Sequence, residues 1–68
     1  MKLKINGEVN EFDNELKTIS DLLTELEIKR PERVAVERNK EIIMQSDFGN
    51  TKVKDDDSIE IVSFVGGG

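Results

Sequence analysis

In the stretch Thr18-Ile19-Ser20-Asp21-Leu22-Leu23-Thr24-Glu25-Leu26 the hydrophobic period changes, and that change decides the fold. Ile19, Leu22, Leu23 and Leu26 fall at i, i+3, i+4 and i+7, which puts all four on one face of a helix. Thr18 and Asp21 have the spacing of a capping box, with the threonine hydroxyl accepting from the Asp21 amide. Aspartate in place of the usual Glu or Gln makes this the weaker version. Pro31 disfavours helical geometry in the residue before it, so the helix is expected to end near Glu27. A single amphipathic helix must bury its apolar face on another layer.

That layer is written on both sides of it. Upstream, Lys2 to Asn6 alternates, with Leu3 and Ile5 on one face and Lys2 and Lys4 on the other, the period of a half-buried strand. Asn6-Gly7 follows, a pair suited to a type I′ turn because both central residues need positive φ. Glu8 to Phe12 returns as a second strand. Val9 and Phe12 are three apart, which predicts a bulge near Asn10 or Glu11. Downstream, Arg33 to Met44 reads as a second hairpin with Val34 and Val36 facing one way and Asn39-Lys40 at the tip. Residues 45–54 are irregular, with a turn at Gly49-Asn50 and room for a short strand at Lys52 to Lys54. Asp55 to Ser58 is a turn, and Ile59 to Val65 is a β-prone final strand.

The order is β-β-α-β-β, and only one helix is available. The helix lies in the crossover between the first hairpin and the later strands, which fits parallel pairing of the first and last strands. The expected fold class is α+β, a β-grasp or ubiquitin-like domain: a mixed sheet of four to five strands with one helix on one face. Residues 1–65 form the single domain and residues 66–68 a flexible glycine tail.

Composition limits what such a domain does. At 68 residues with 35% hydrophobic content there is material for one small core and not for a substrate pocket as well. The chain has no His, Cys, Trp or Tyr. General acid–base and nucleophilic catalysis lose their usual groups, and no His is present to activate Ser20, Ser46, Ser58 or Ser63. Zinc and iron–sulfur ligands are missing as well. A net charge of −5 disfavours nucleic acid. No apolar run is long enough to span a membrane, and the N-terminus has no apolar signal-peptide core. The expectation is a cytoplasmic protein, not an enzyme, and a monomer when free.

The chain finishes Phe64-Val65-Gly66-Gly67-Gly68. Alternation places Ile59, Ile61, Ser63 and Val65 on one face of the last strand, with Glu60, Val62 and Phe64 on the other. If the isoleucines face the helix, Val62 and Phe64 sit on the open face of the sheet beside the tail. Two readings stay open: they dock a partner together with Val65, or Phe64 closes an edge of the core. Glycines at Gly66 and Gly67 suit a tail that threads a channel too narrow for a Cβ. The Gly68 carboxylate is anionic near neutrality and a poor acyl electrophile until joined to AMP, after which a sulfur or amine nucleophile can take the acyl group. The carrier itself needs no catalytic residue for this.

Three stretches carry a family likeness: "TISDLL" at the helix start, "VAVERNKEII" across the second hairpin and "IEIVSFVGGG" at the end. Together with the short length and ubiquitin-like order, they resemble the ThiS family, sulfur carriers of thiamine biosynthesis, over nearly the whole chain. The terminal Gly-Gly is shared by acyl-activated carriers generally, and the hairpin looks less like the molybdopterin carriers of the MoaD family. The resemblance implies that a ThiF-type adenylyltransferase uses ATP and magnesium to adenylate Gly68. Sulfur from a donor such as a cysteine desulfurase then forms a thiocarboxylate, and a ThiG-type thiazole synthase consumes it. The carrier binds no cofactor of its own. A MoaD-like carrier, a ubiquitin-like protein modifier and a plain interaction module are the alternatives.

Two charged stretches read as surface. Asp55, Asp56, Asp57 and Glu60 lack the spacing of a calcium loop and are expected to form a solvated turn. Lys29 to Arg33 is a basic island expected in a solvated loop. Asn39 at the hairpin tip is explained by backbone geometry alone.

Overall fold

A computed structural model describes residues 1–64; the expectations for Val65, Gly66, Gly67 and Gly68 fall outside the described residues. The elements are β1 (Lys2–Ile5), β2 (Glu8–Glu11), α1 (Ile19–Glu25), β3 (Val34–Arg38), β4 (Glu41–Ile43) and β5 (Ser58–Ser63), with short 3-10 helices at Pro31–Arg33 and Gln45–Asp47. The strands form one sheet in the order β2-β1-β5-β3-β4. β1 and β5 run parallel, and the other pairs are antiparallel. This is the β-grasp order, with α1 in the connection that parallel pairing requires.

The helix forms as its sequence dictates. Thr18 accepts from the Asp21 amide at 3.2 Å, and the Asp21 carboxylate accepts from the amides of Thr18 and Lys17, both at 3.0 Å. Those backbone donors, Thr18 first and Lys17 next, hold the Asp21 pKa below its ordinary value. At the other end Ile28 N–H donates to Leu23 O and Glu27 N–H to Thr24 O, each at 2.9 Å. This is a Schellman stop with Glu27 at φ 60, a left-handed position usually given to glycine. Ile19, Leu22 and Leu23 are buried by the sheet, and Leu26 is half-buried beside them.

Beneath the helix the core consists of Leu3, Val34, Val36 and Ile59 from the strands with Leu16, Phe48 and Val53 from connecting segments. The irregular stretch therefore supplies two core residues. It runs beside the helix start through Ile19 N–H to Thr51 O and Val53 N–H to Lys17 O. At Lys52 there is a single bridge to Thr18, not a strand. The β1–β2 register is unbroken from Lys2↔Glu11 to Ile5↔Glu8, so the expected bulge is absent from these residues. The strand simply ends at Glu11, and Phe12 reaches the core from beyond it, its amide bonded to Met1 O at 2.8 Å. Asn6 (φ 48) and Gly7 (φ 87) have the positive angles of the expected turn, as do Asn39 (φ 51) and Lys40 (φ 72).

The acidic turn is not uniformly solvated, and the expectation fails at Asp57. Asp57 is only 6% exposed. Its carboxylate accepts from Arg38 Nε at 2.8 Å, Asn39 Nδ2 at 3.0 Å and the Lys54 amide at 2.7 Å. Asn39 also does more than set a turn: its Oδ1 accepts from the Ser58 amide at 2.9 Å, and its own amide donates to Ser58 O at 2.7 Å. On the other flank of β5, Asn6 Oδ1 accepts from the Ile61 amide at 2.7 Å, and Asn6 Nδ2 donates to Ile61 O at 3.2 Å. Each turn asparagine thus extends a ladder where its strand has ended.

Burial works to raise the Asp57 pKa, but the hydrogen bonds from Asn39, Arg38 and Lys54, with the Arg38 charge, outweigh it and hold the group below its ordinary value. A depressed folded-state pKa stabilises the fold above the unfolded value of about 3.9, and the contribution is lost as pH falls through the folded value. Asp57→Asn should therefore cost about 1–3 kcal/mol at neutral pH, with the gap to the parent chain closing below about pH 4. Urea unfolding at a series of pH values from about 2.5 to about 7, which bracket the aspartate titration, checks this. A gap independent of pH would refute it.

Candidate functional site

Strand alternation and register assign the two faces of the sheet. Leu3, Ile5, Val34, Val36, Ile59 and Ile61 turn toward α1 and are buried or half-buried. Val62 lies directly across from Ala35, and Glu60 from Glu37, on the opposite, uncovered face. Ile42 is paired with Glu37 from the other side. Val62 is 60% exposed and Phe64 58% exposed. Among the described residues the other large exposed hydrophobics are Val9, Ile42 and Met44. Val9 stands apart, paired with Lys4 across β1, whereas Val62, Ala35 and Ile42 occupy neighbouring positions on three adjacent strands.

β5 carries this apolar ground to the end of the described chain. Its last anchor is the Phe64 amide, which donates to Arg33 O at 2.8 Å. Beside that bond Ile28, Lys29, Arg30, Arg33 and Val34 line a shallow open groove with Phe64. The basic residues there are exposed, and Arg30 makes a loose 3.7 Å pair with Glu32. Of the residues singled out for docking or tail chemistry, Val62 and Phe64 are therefore together at one end of the sheet. Val65 and the glycines lie outside the described residues. Among the described residues no group of acidic side chains is placed to hold a metal ion, and no helix is long and apolar enough to cross a membrane.

The sequence alone does not bring Ala35, Glu37, Ile42 and Glu60 onto a shared surface, because only the β3–β5 and β3–β4 registers place them together. The signal for Ile42 was available in part, since one residue of a short apolar edge strand has to face outward.

Five strands wrapped on a single helix, with the last strand central and its outer face bare, define a β-grasp domain. The chain belongs to the ThiS family, whose sequence model matches residues 3–68. The sulfur carrier protein ThiS of Bacillus subtilis is 42% identical over 66 residues, covering 97% of this chain and 98% of that protein. Thiazole synthases of Paramagnetospirillum magneticum and Magnetococcus marinus are 47% and 41% identical over all 68 residues. The chain spans only 20% of the length of each of these two. The crystal structure of a thiamine biosynthesis protein (ThiS) from Geobacter metallireducens superposes with a TM-score of 0.85 at 36% identity, each chain covered completely. The solution structure of a Geobacter metallireducens thiamine biosynthesis protein gives 0.82, at 36% identity, covering all of this chain and 88% of that one.

Whether Phe64 belongs to the surface or to the core has a direct test. With more than half of the residue exposed, Phe64→Ser and Val62→Ser should each change unfolding free energy by less than about 1 kcal/mol, whereas Ile59→Ala should cost about 2–5 kcal/mol. Urea denaturation distinguishes them. A loss at Phe64 as large as that at Ile59 would make it a core residue.

Proposed function

We infer that this chain is a sulfur carrier of thiamine biosynthesis, working from its C-terminal carboxylate, and is not itself an enzyme. The observation that supports the reading most is the ThiS family match across residues 3–68, which takes in the glycine run. The absence of His and Cys agrees with it, because carrier chemistry asks for none of the usual catalytic side chains. An adenylyltransferase of the ThiF type joins the Gly68 carboxylate to the α-phosphorus of ATP, with magnesium on the nucleotide, and pyrophosphate leaves. The acyl carbon then has AMP as a good leaving group. Sulfide displaces AMP to give the Gly68 thiocarboxylate directly. Where a donor such as a cysteine desulfurase presents the sulfur as a persulfide, attack releases AMP and forms an acyl disulfide, which a thiol reductant cleaves to the thiocarboxylate.

Two thiazole synthases contain a stretch alike to the whole of this chain, which supports thiazole synthase as the protein that consumes the sulfur. In this reading Gly66 and Gly67 pass through the narrow approach to each partner's active site, where a Cβ would obstruct. Val62 and Phe64, with Val65 beyond them, provide apolar ground for docking at the end of the sheet from which the tail departs. ATP and magnesium are the partner's, and the carrier holds neither. The working compartment is the cytoplasm.

Intact-mass analysis after incubation with a ThiF-type enzyme, Mg-ATP and a sulfur donor tests the reading. The expected result is a gain equal to exchanging one oxygen for one sulfur, localised to Gly68. An unchanged mass, with an established carrier converted in parallel, would rule the reading out.

A further inference from the structure

At the end of the sheet, beyond the C-terminus of α1, the shallow groove beside Phe64 gathers the basic island of an otherwise acidic chain. Its lining joins the cross-strand pair Val34 and Ser63 to Ile28 and to three cations, Lys29, Arg30 and Arg33. Val34 turns inward to the core, so the groove is separate from the bare face of the sheet. The loop that carries the cations is fixed by the backbone. Ile28 packs against the core with its amide bonded to Leu23 O at 2.9 Å, and Arg33 N–H donates to Arg30 O at 2.9 Å across the turn opened by Pro31. The chain swings into this loop at Glu27, a groove residue held at φ 60 without being glycine. Strained backbone of this kind clusters at functional sites. From Glu27 to Arg33 there are three cations and two anions, against seven cations and thirteen anions in the rest of the chain. Among the described residues the ion pair here is the loose Arg30–Glu32 contact at 3.7 Å, which leaves Lys29 and Arg33 with no carboxylate within 4.0 Å.

We propose that this groove receives an acidic rim around the adenylyltransferase's channel, with enzyme carboxylates against Lys29, Arg30 and Arg33 and an apolar side chain on Ile28 and Val34. The proposal rests on the carrier reading above. Reach brings the enzyme here. Four residues follow Phe64, and four residues span at most about 13–14 Å when fully extended. A channel that takes Gly68 to a bound nucleotide therefore has its mouth against the surroundings of Phe64, and this groove is one side of them. Charge selects the chemistry of that mouth: each guanidinium offers a planar fork that fits a carboxylate. It also orients the encounter, because an acidic rim attracts the one basic end of the carrier and repels the rest, so the tail arrives first. A second copy of this chain is a poorer occupant. Its acidic surface would have to meet the groove in a contact between unlike patches, which propagates from chain to chain without closing, and chains that each carry −5 repel one another.

The test is ATP–pyrophosphate exchange by a ThiF-type adenylyltransferase, with the carrier concentration varied at low and high salt. Lys29→Glu with Arg30→Glu should raise KM for the carrier about tenfold at low salt and leave kcat in place. The difference from the parent chain should shrink as salt screens the contact. Both side chains are exposed, so the fold does not depend on them. Lys17→Glu with Lys52→Glu is an equal change of net charge on exposed residues beside the start of α1, at the other end of the helix. It should leave KM near the parent value. An unaltered KM in the first double variant, with the parent chain turning over, would overturn the groove proposal and leave the carrier reading intact. Equal effects from the two double variants would overturn it too, by reducing the effect to net charge. No exchange with the parent chain, while an established carrier reacts, would remove both readings together.

Discussion

The fold depends on how β5 is held. It is the central strand, parallel to β1 and antiparallel to β3, and its pairing with β1 stops at Ile59. On the β1 side the Asn6 amide group takes over as a peptide would, bonding both the N–H and the C=O of Ile61. On the β3 side Asn39 bonds the Ser58 amide through its side chain and the Ser58 carbonyl through its own N–H. Asp57 locks the entry to the strand by joining Arg38, Asn39 and the Lys54 amide. Two turns and one carboxylate thus complete backbone pairing that the strands leave unfinished.

That anchoring sets which side chains of β5 face inward and which outward. With β5 fixed at its start and along both flanks, Ile59 is held beneath α1 while Glu60 and Val62 are held outward. The helix closes one face of the sheet with Ile19, Leu22 and Leu23. The other face stays bare, and Phe64 follows β5 into the shallow groove beside Ile28 and Arg33.

Local features were legible from the residues. The period of Ile19 to Leu26, the capping pair Thr18 and Asp21, and the two asparagine turns each declare themselves within a few positions. What was not legible required long-range geometry. Asp55, Asp56 and Asp57 are chemically identical neighbours, and only the arrival of Arg38 and Asn39 from the second hairpin selects Asp57 for burial. Phe48 and Val53 enter the core from a stretch without periodicity, because hydrogen bonds to residues 17–20 carry it alongside the helix start. The bulge expected from the three-residue spacing of Val9 and Phe12 disappears once Phe12 is seen to lie past the end of β2. Alternation left Val62 and Phe64 with two surroundings to choose between, and the Glu37–Glu60 pairing is visible only when the β3–β5 register is known.

In the proposed carrier reading, the bare face of the sheet is the working side of the molecule and the helix side is closed. Amide shift mapping of isotopically labelled chain titrated with a ThiF-type adenylyltransferase tests this most directly. The account predicts perturbations concentrated at Ala35, Glu37, Ile42, Glu60, Val62 and Phe64. Perturbations gathered instead at Ser20, Thr24 and Glu25 on the outer side of α1, with the sheet amides unmoved, would contradict it.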